Sequence, residues 1–320
     1  MTTKLVLGTA TPGGGFPLYG EAFAATVNET DPSLHVEPRN TKGSTENIPL
    51  LEAGQLDIAQ VTGEPAYEAF EGIGRPKTDL KIVAAMYSTA GMFIVRGDSP
   101  ASSIDDLKGK PVAFGTKGSG LTILSRYVLE GLGFDQHKDF QPIFLDKAGD
   151  GPTMVTNGRA AALWGGGVGW PGFATLAQAG GRFIAPNTDE IARVRVRHSF
   201  LKSTTLPANS YAGQTAPIPS VGSWSYVLAA PSLPDDVAYA LARALDKGHA
   251  ATGRRDHAAE YSGGVAEGRV DPPRRAEISE RAWALGDGAP RQTFGMNDRN
   301  RQHHDAKQQM RQRQMQRRLM

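Results

Sequence analysis

The sequence predicts an α/β protein of two domains, each built on a mostly parallel sheet flanked by helices. The chain has 320 residues, which is more than one hydrophobic core usually organises. Short apolar stretches alternate with helical patterns through roughly the first 70 residues, as in parallel strands joined by helices. A second series of the same kind begins near Pro111.

The first unit is a strand, a glycine-rich loop and a helix. Residues 5–8 form a short apolar stretch, residues 9–15 read Thr-Ala-Thr-Pro-Gly-Gly-Gly, and a helical pattern follows over residues 17–29. The glycines permit close approach of a ligand to the backbone, and Thr9 and Thr11 offer hydroxyl groups. A glycine run also serves as a plain connector, so both interpretations stay open.

Two further strands follow in the same half of the chain. Residues 34–37 and 57–61 predict strands, and a helix is expected to begin at Ser44 or Thr45. Ser44 suits a helix cap, whereas Asn47 is an indifferent residue for a first helical turn. Ligands of parallel α/β sheets bind beyond the carboxyl ends of the strands, so the loops after all three strands are expected at one rim.

The second series opens with the most informative stretch of the chain. Residues 112–114 predict a buried strand, Gly118-Ser119-Gly120 interrupts it, and a 3.6-residue apolar period runs through residues 122–132. This arrangement directs free backbone N–H groups and the positive end of a helix dipole at one point, which suits a carboxylate or phosphate. Ser119 and Thr122 would add hydroxyl donors, and Lys117 would add charge. The alternative is that Ser119 only caps the helix.

A third glycine-rich loop spans residues 165–172 and is bordered by Trp164, Trp170 and Phe173. Aromatic faces and backbone amides at such a loop suit a small ligand. Taken alone, Trp164 is expected in the core at a strand end, whereas Trp170 is harder to interpret as a core residue. Residues 221–230 and 235–247 predict a further strand and a further helix.

Composition and charge exclude several classes of protein. Cysteine is absent, which rules out disulfides, thiolate catalysis and cysteine metal sites. No stretch approaches the roughly 18 apolar residues of a membrane-spanning helix. The whole chain carries +2, but residues 291–320 carry +6, so residues 1–290 carry −4. An acidic body argues against nucleic acid as a partner, and the Gln/Arg-rich tail is expected to be disordered.

Taken in order, these motifs make the chain resemble the solute-binding proteins of TRAP transporters, specifically the TAXI (TRAP-associated extracytoplasmic immunogenic) family. The matching segments are residues 8–20, 41–47, 51–59, 106–110, 115–120, 207–214 and 221–222. The resemblance implies a two-lobed periplasmic binding protein fold with a ligand cleft between the lobes. It implies capture of a small organic acid or amino acid by its carboxylate and delivery to a membrane-embedded TRAP permease, without catalysis, metal or cofactor.

Carried onto this sequence, the resemblance also implies a division of the chain. Lobe I would comprise residues 1–97 and 207–290, lobe II residues 98–206, and residues 291–320 would form the basic tail. The protein would be a periplasmic monomer. Residues 1–4 lead straight into the first strand, so we expect that a signal peptide has been removed. The residues expected at the ligand are Thr9, Thr11, Gly14, Phe16, Ser44, Asn47, Gln60, Thr62, Ser119, Gly120, Thr122, Trp164, Gly166, Trp170 and Tyr211.

Rival functions find less support in the sequence. None of the seven histidines lies in a glycine loop, and Ser119 lacks the Gly-x-Ser-x-Gly pattern of a nucleophile elbow, so an enzyme is not expected. The Walker lysine pattern of nucleotide-binding loops is absent. The alternative that remains is a ligand-binding or sensor protein of an ABC-type or cytosolic system with the same fold.

Overall fold

The computed structural model describes residues 2–252, all of which belong to one compact unit. The strands of this part are β1 Thr3–Gly8, β2 Leu34–Arg39, β3 Ile58–Thr62, β4 Lys81–Val95, β5 Pro111–Thr116, β6 Gln141–Leu145, β7 Ala162–Gly166, β8 Arg182–Ile184, β9 Lys202–Leu206 and β10 Ile218–Ala229. Its helices are α1 Gly15–Thr30, α2 Ser44–Glu52, α3 Gly63–Glu71, α4 Gly120–Leu132, α5 Gly151–Thr156, α6 Pro171–Gln178, α7 Thr188–Arg197 and α8 Asp235–Thr252.

The strands form one mixed sheet in the order β2-β1-β3-β10-β4-β7-β5-β6, with β8 beside β4 and β9 beside β10. Strand β1 is parallel to β2 and β3, and β5 is parallel to β6 and β7. We call the part around β1–β3 lobe I and the part around β5–β7 lobe II. Each lobe is a mostly parallel sheet flanked by helices, which confirms the predicted α/β fold with two lobes.

Two long antiparallel strands join the lobes. Strand β4 pairs with β10 as far as Ala90, and from Gly91 onward it pairs with β7 of lobe II. Strand β10 pairs with β9 at its start and with β3 of lobe I over residues 225–229. The boundaries predicted at residues 97/98 and 206/207 stay predictions, and the predicted tail lies outside the described residues.

Each lobe has hydrophobic cores on both faces of its sheet. In β4, Phe93 and Val95 belong to one core of lobe II, whereas Met92 and Ile94 belong to the other, as the alternation of side chains along a strand requires. Two further clusters cover the two faces of lobe I. This double burial explains why the strands are nearly continuous apolar stretches. Within residues 2–252, no helix combines the length and apolar character that crossing a bilayer requires.

Candidate functional site

A cavity of about 60 Å³ lies between the lobes, where the loops after β1, β2, β5, β6 and β7 and the end of β3 meet the strands that join the lobes. This is the rim at which ligands of parallel α/β sheets bind. The residues that line it are Ala10, Thr11, Gly14, Gly15, Phe16, Gly43, Ser44, Thr62, Tyr87, Thr89, Gly115, Thr116, Ser119, Gly120, Leu121, Ala148, Gly166, Trp170 and Ser225.

The loops of the two lobes contact each other around this cavity. Thr45 of lobe I donates its backbone N–H and its hydroxyl to the carbonyl of Gly118 in lobe II, at 3.2 and 3.1 Å. A second bridge runs from the Ala148 N–H of lobe II to the Thr11 hydroxyl of lobe I, at 3.3 Å. The structure therefore shows the two lobes closed on each other.

This closed arrangement depends on glycine at the contact points. A Cβ atom on Gly120 would lie 1.6 Å from Oγ1 of Thr62, and one on Gly118 would lie 2.4 Å from the carbonyl oxygen of Lys42. Atoms that are not bonded do not approach so closely, so a larger residue at either position would hold the lobes apart. The Gly-Ser-Gly sequence thus brings the backbone of lobe II directly against lobe I.

Several lobe I residues that line the cavity carry hydroxyl groups, and we call those of Ser44, Thr62 and Ser225 the hydroxyl cluster. Thr62 and Ser225 are direct partners across β3 and β10, so their side chains share one face of the sheet. The Ser44 hydroxyl accepts a hydrogen bond from the Thr62 N–H at 3.1 Å. Within the described part of the chain, Thr62 Oγ1 and Ser225 Oγ are buried and make no hydrogen bond. A buried hydroxyl without a partner costs about 1–3 kcal/mol, so the cluster is unfavourable unless it binds something.

On the opposite wall, helix α4 begins at Gly120 and is capped by Ser119. The Ser119 hydroxyl accepts from the Leu121 N–H at 3.2 Å, and its carbonyl accepts from the Thr122 N–H at 3.1 Å. The capping role predicted as the alternative for Ser119 is therefore present, and the residue also lines the cavity. The start of α4, with its partial positive charge, lies at the cavity wall.

Two predicted ligand residues serve the interior of lobe II instead. The Thr122 hydroxyl donates to the carbonyls of Phe114 and Thr116, at 3.1 and 2.8 Å, and so fixes the turn between β5 and α4. Trp164 is fully buried and donates its Nε1–H to the Leu121 carbonyl at 2.8 Å. Neither residue lines the cavity, and the polar hydrogen of each is donated to a backbone carbonyl.

The third glycine loop brings one of its tryptophans to the cavity. Trp170 lines it, and its backbone N–H donates to the Tyr211 hydroxyl at 2.8 Å. That hydroxyl donates in turn to the Gly167 carbonyl at 2.9 Å, and burial raises the pKa of Tyr211, so the proton stays in place. Tyr211 does not line the cavity. It holds the loop that carries Trp170 and Gly166.

Three more predicted residues form an internal network in lobe I. The Asn47 amide donates to the carbonyls of Thr9 and Gln60, both at 2.8 Å. In the orientation that suits its neighbours, the Gln60 amide donates to the Phe16 carbonyl at 2.7 Å and accepts from the Gly20 N–H at 3.1 Å. Thr9, Asn47 and Gln60 are fully buried and outside the cavity lining, so they position the loops rather than face the cavity.

Of the predicted ligand residues, the structure brings nine together at the cavity, and their binding role stays a prediction. Those nine are Thr11, Gly14, Phe16, Ser44, Thr62, Ser119, Gly120, Gly166 and Trp170. The lining residues Tyr87, Thr89 and Ser225 were not predicted, because they lie on β4 and β10 rather than in loops after parallel strands. The available signal was the alternation of Ser223 and Ser225 within an apolar strand.

The cavity wall carries no formal charge: among the described residues that line it there is no Asp, Glu, His, Lys or Arg. Glu64 lies two residues beyond Thr62, is 1% exposed and accepts from the Ser223 hydroxyl at 2.6 Å. Burial raises the pKa of Glu64 to about 7, and the Ser223 hydrogen bond offsets only part of this effect. Thr62 also holds this pKa down, although its hydroxyl makes no hydrogen bond of ordinary geometry to the carboxyl.

A second contact joins the lobes outside the cavity. Arg126 on α4 pairs with Glu68 on α3, and the Tyr127 hydroxyl donates to the same carboxylate at 2.9 Å. The ring of Tyr67 on α3 stacks on Phe200, with ring centroids 4.0 Å apart. The contacts between helix α3 of lobe I and lobe II thus include an ion pair, a hydrogen bond and an aromatic stack. In the part of the chain that the structure describes, no group of three His, Asp or Glu is placed to hold a metal ion.

Comparison with known proteins identifies a matching family and solved structures of similar fold. The model of the NMT1-like family matches residues 7–259. The chain is similar to a solved structure described as a periplasmic transporter, with a TM-score of 0.57 and 16% identity, covering 89% of this chain and 95% of that one. It is also similar to a TctC solute binding protein from Polaromonas, with a TM-score of 0.50 and 16% identity, covering 88% and 95%. These likenesses show the fold of periplasmic solute-binding proteins, and by the family match the chain belongs to the NMT1-like family.

Proposed function

We propose that this protein captures a small organic acid or amino acid between its lobes and delivers it to a TRAP-type secondary transporter. The observation that carries the proposal is the hydroxyl cluster, in which two buried hydroxyls that make no hydrogen bond in the described part of the chain belong to residues lining a cavity between the lobes. A ligand that accepts these hydrogen bonds would favour the closed state over the open one, because the open state exposes the hydroxyls to water.

The finer parts of this proposal rest on the sequence motifs. They assign the protein to the TAXI group of TRAP-associated binding proteins, to the periplasm, and to a monomeric state with a membrane-embedded permease as its partner. A binding protein rather than an enzyme fits a cavity wall that, within the described residues, contains no Asp, Glu, His, Lys or Arg. An ABC-type or cytosolic binding protein with the same fold is the second candidate.

A thermal-shift screen of the purified protein tests the binding function. The protein is unfolded and refolded first, so that any co-purified solute is removed, and is then screened against carboxylates, amino acids, amides and sugars. A ligand at 100 times its dissociation constant adds about 2.7 kcal/mol to the free energy of unfolding. For a protein of this size, we expect an increase of roughly 5–10 °C in the unfolding midpoint.

Saturable stabilisation by one solute, confirmed by calorimetry, would support the binding function. Flat curves with every solute, from refolded protein with native circular dichroism, would contradict it. Uptake of the solute into vesicles that carry the candidate permease separates the two transport systems. Uptake driven by an ion gradient supports the TRAP assignment, whereas uptake that requires ATP supports the ABC alternative.

A further inference from the structure

The uncharged cavity wall narrows the class of ligand. An amino acid carries an ammonium group as well as a carboxylate, and a charged group removed from water needs an opposite charge or a full set of hydrogen bonds. Among the described lining residues, no carboxylate is present for an ammonium group, and no Lys or Arg is present for a second carboxylate. The wall therefore disfavours any ligand with more than one charged group.

The hydroxyl cluster is suited to a single anionic group. Ser225 is fully buried and Thr62 is 6% exposed, and within the described residues neither hydroxyl makes a hydrogen bond. The oxygen of Ser44 accepts from the Thr62 N–H, and a hydroxyl that accepts one hydrogen bond can still donate its proton to a ligand. Three hydroxyl protons on one wall can serve the several lone pairs of a carboxylate.

The other lobe supplies a complementary electrostatic feature at the same place. Helix α4 begins at Gly120, whose position is so close to Thr62 that a Cβ atom would overlap Oγ1. Of the first three N–H groups of α4, those of Leu121 and Thr122 are taken by Ser119. The partial positive charge of the helix start thus lies in contact with the hydroxyl cluster.

The remaining wall is largely apolar. Phe16, Leu121 and Trp170 line it, and such side chains suit the uncharged atoms of a ligand. We propose that the hydroxyl cluster and the start of α4 bind the carboxylate of a small monocarboxylate whose remaining atoms are uncharged. This inference rests on the proposed function and narrows its ligand to one class.

Two substitutions at the cluster test the inference, Ser225→Ala and Thr62→Val. Both keep the approximate shape of the side chain and remove a hydroxyl that makes no hydrogen bond in the described structure. We expect each to weaken monocarboxylate binding by about tenfold or more, as for loss of a hydrogen bond to a charged group. The unfolding midpoint without ligand should stay equal or rise, because an unsatisfied buried hydroxyl is removed.

Ser125→Ala is the matched control. Ser125 is fully buried in α4 and outside the cavity lining, and its hydroxyl donates to the Thr122 carbonyl and accepts from Gln136, both at 2.8 Å. This variant should lower the unfolding midpoint and leave the dissociation constant unchanged. If Ser225→Ala and Thr62→Val instead lower the midpoint and keep the affinity, their hydroxyls are structural and the inference is wrong.

A series of ligands of similar size provides the second arm, measured by calorimetry with propionate, alanine, malonate and propionamide. We expect alanine and malonate to bind about 100-fold more weakly than propionate, because each adds a charge that the wall does not match. Propionamide should bind about tenfold more weakly, because it lacks the negative charge. Equal or tighter binding of any of the three overturns the inference. If only a sugar or an amino acid binds in the wider screen, the monocarboxylate inference is wrong but the proposed binding function stands. If no solute binds, both the inference and the proposed function are wrong.

Discussion

The two ends of helix α4 each carry a glycine in close contact with another element, and they differ in what lies opposite. Gly120, at the start, contacts Thr62 of lobe I, where a Cβ atom would lie 1.6 Å from Oγ1. Gly131, in the last turn, packs against α7 of the same lobe, where a Cβ atom would lie 2.7 Å from Cα of Val194. The first contact joins the two lobes, whereas the second lies within the core of lobe II.

In both contacts a glycine leaves no room for a Cβ atom, yet a substitution is expected to have different consequences at the two positions. A methyl group at position 131 would disturb the folded state itself, because α4 and α7 belong to one hydrophobic cluster. A methyl group at position 120 would leave each lobe intact and act on their closure. A close glycine contact alone therefore does not indicate a role in ligand binding. What matters is whether the contact joins the two lobes or lies within one of them.

The largest expected effect is that of Gly120→Ala. The methyl group overlaps Thr62 Oγ1 in the closed state, so we expect ligand affinity to fall by at least about 1,000-fold, or about 4 kcal/mol. The unfolding midpoint without ligand should be unchanged or slightly higher, because alanine is the better helix former. Calorimetry and thermal unfolding of the same sample check both parts. Retained affinity would mean that closure does not need this contact.

The next largest effect is the pH dependence of stability caused by Glu64, which lies two residues beyond Thr62 in lobe I. Its pKa is raised to about 7 from 4.5, so the folded state holds the proton more tightly than the unfolded state. Its contribution to stability is therefore greatest below pH 4.5 and declines between pH 4.5 and about 7, by about 3 kcal/mol at most.

Glu64→Gln keeps an oxygen for the Ser223 hydroxyl and removes the titration. Urea unfolding at several pH values should show the wild-type protein losing stability relative to this variant as the pH rises through that window. Parallel curves for the two proteins would show that the carboxyl titrates normally in the folded state.

Gly131→Ala is the counterpart to the first variant. The added methyl group meets the backbone of α7, and overpacking of this kind costs about 1–3 kcal/mol. We expect a lower unfolding midpoint and a dissociation constant close to that of the wild-type protein. A large loss of affinity without loss of stability would remove the distinction between the two ends of α4.

The smallest effect lies midway along α4, at the ion pair of Arg126 with Glu68. The Arg126 side chain is 41% exposed and that of Glu68 is 16% exposed, so solvent screens much of the attraction. A double-mutant cycle with Glu68→Gln and Arg126→Gln, read out as ligand affinity, should give a coupling energy of about 0.5–1 kcal/mol that declines at high salt. If the coupling energy appears only in the free energy of unfolding and not in ligand affinity, the ion pair does not contribute to closure of the lobes.

Local signals in the sequence predict much of this architecture. The strand, glycine turn and helix around Ser119 follow from a short apolar stretch and a 3.6-residue period, and the structure places β5 and α4 there. Trp170 lies at the cavity, as its place in a glycine-rich loop predicts. Trp164 lies in the core, as its place at a strand end predicts. These features depend on residues that are near one another in the chain.

The remaining features depend on pairings between distant segments. Ser225 faces the cavity because β10, far along the chain, inserts between β3 and β4 and pairs Ser225 with Thr62. Thr122 was predicted at the ligand, yet its hydroxyl finds carbonyls at the end of β5 in the tight turn before α4. The position of a residue in the sequence does not show to which of several nearby acceptors its hydroxyl donates a hydrogen bond.

Closure of the lobes on a small solute is the central claim, and the distance between them tests it most directly. The chain contains no cysteine, so Pro49→Cys on α2 and Asp146→Cys after β6, both exposed, give two unique spin-label sites on opposite lobes. Pulsed electron resonance should show a broad distance distribution without ligand and a narrow one with the solute from the screen. In Gly120→Ala, the broad distribution should persist with solute. A distribution that is identical with and without bound solute in the wild-type protein would contradict the account.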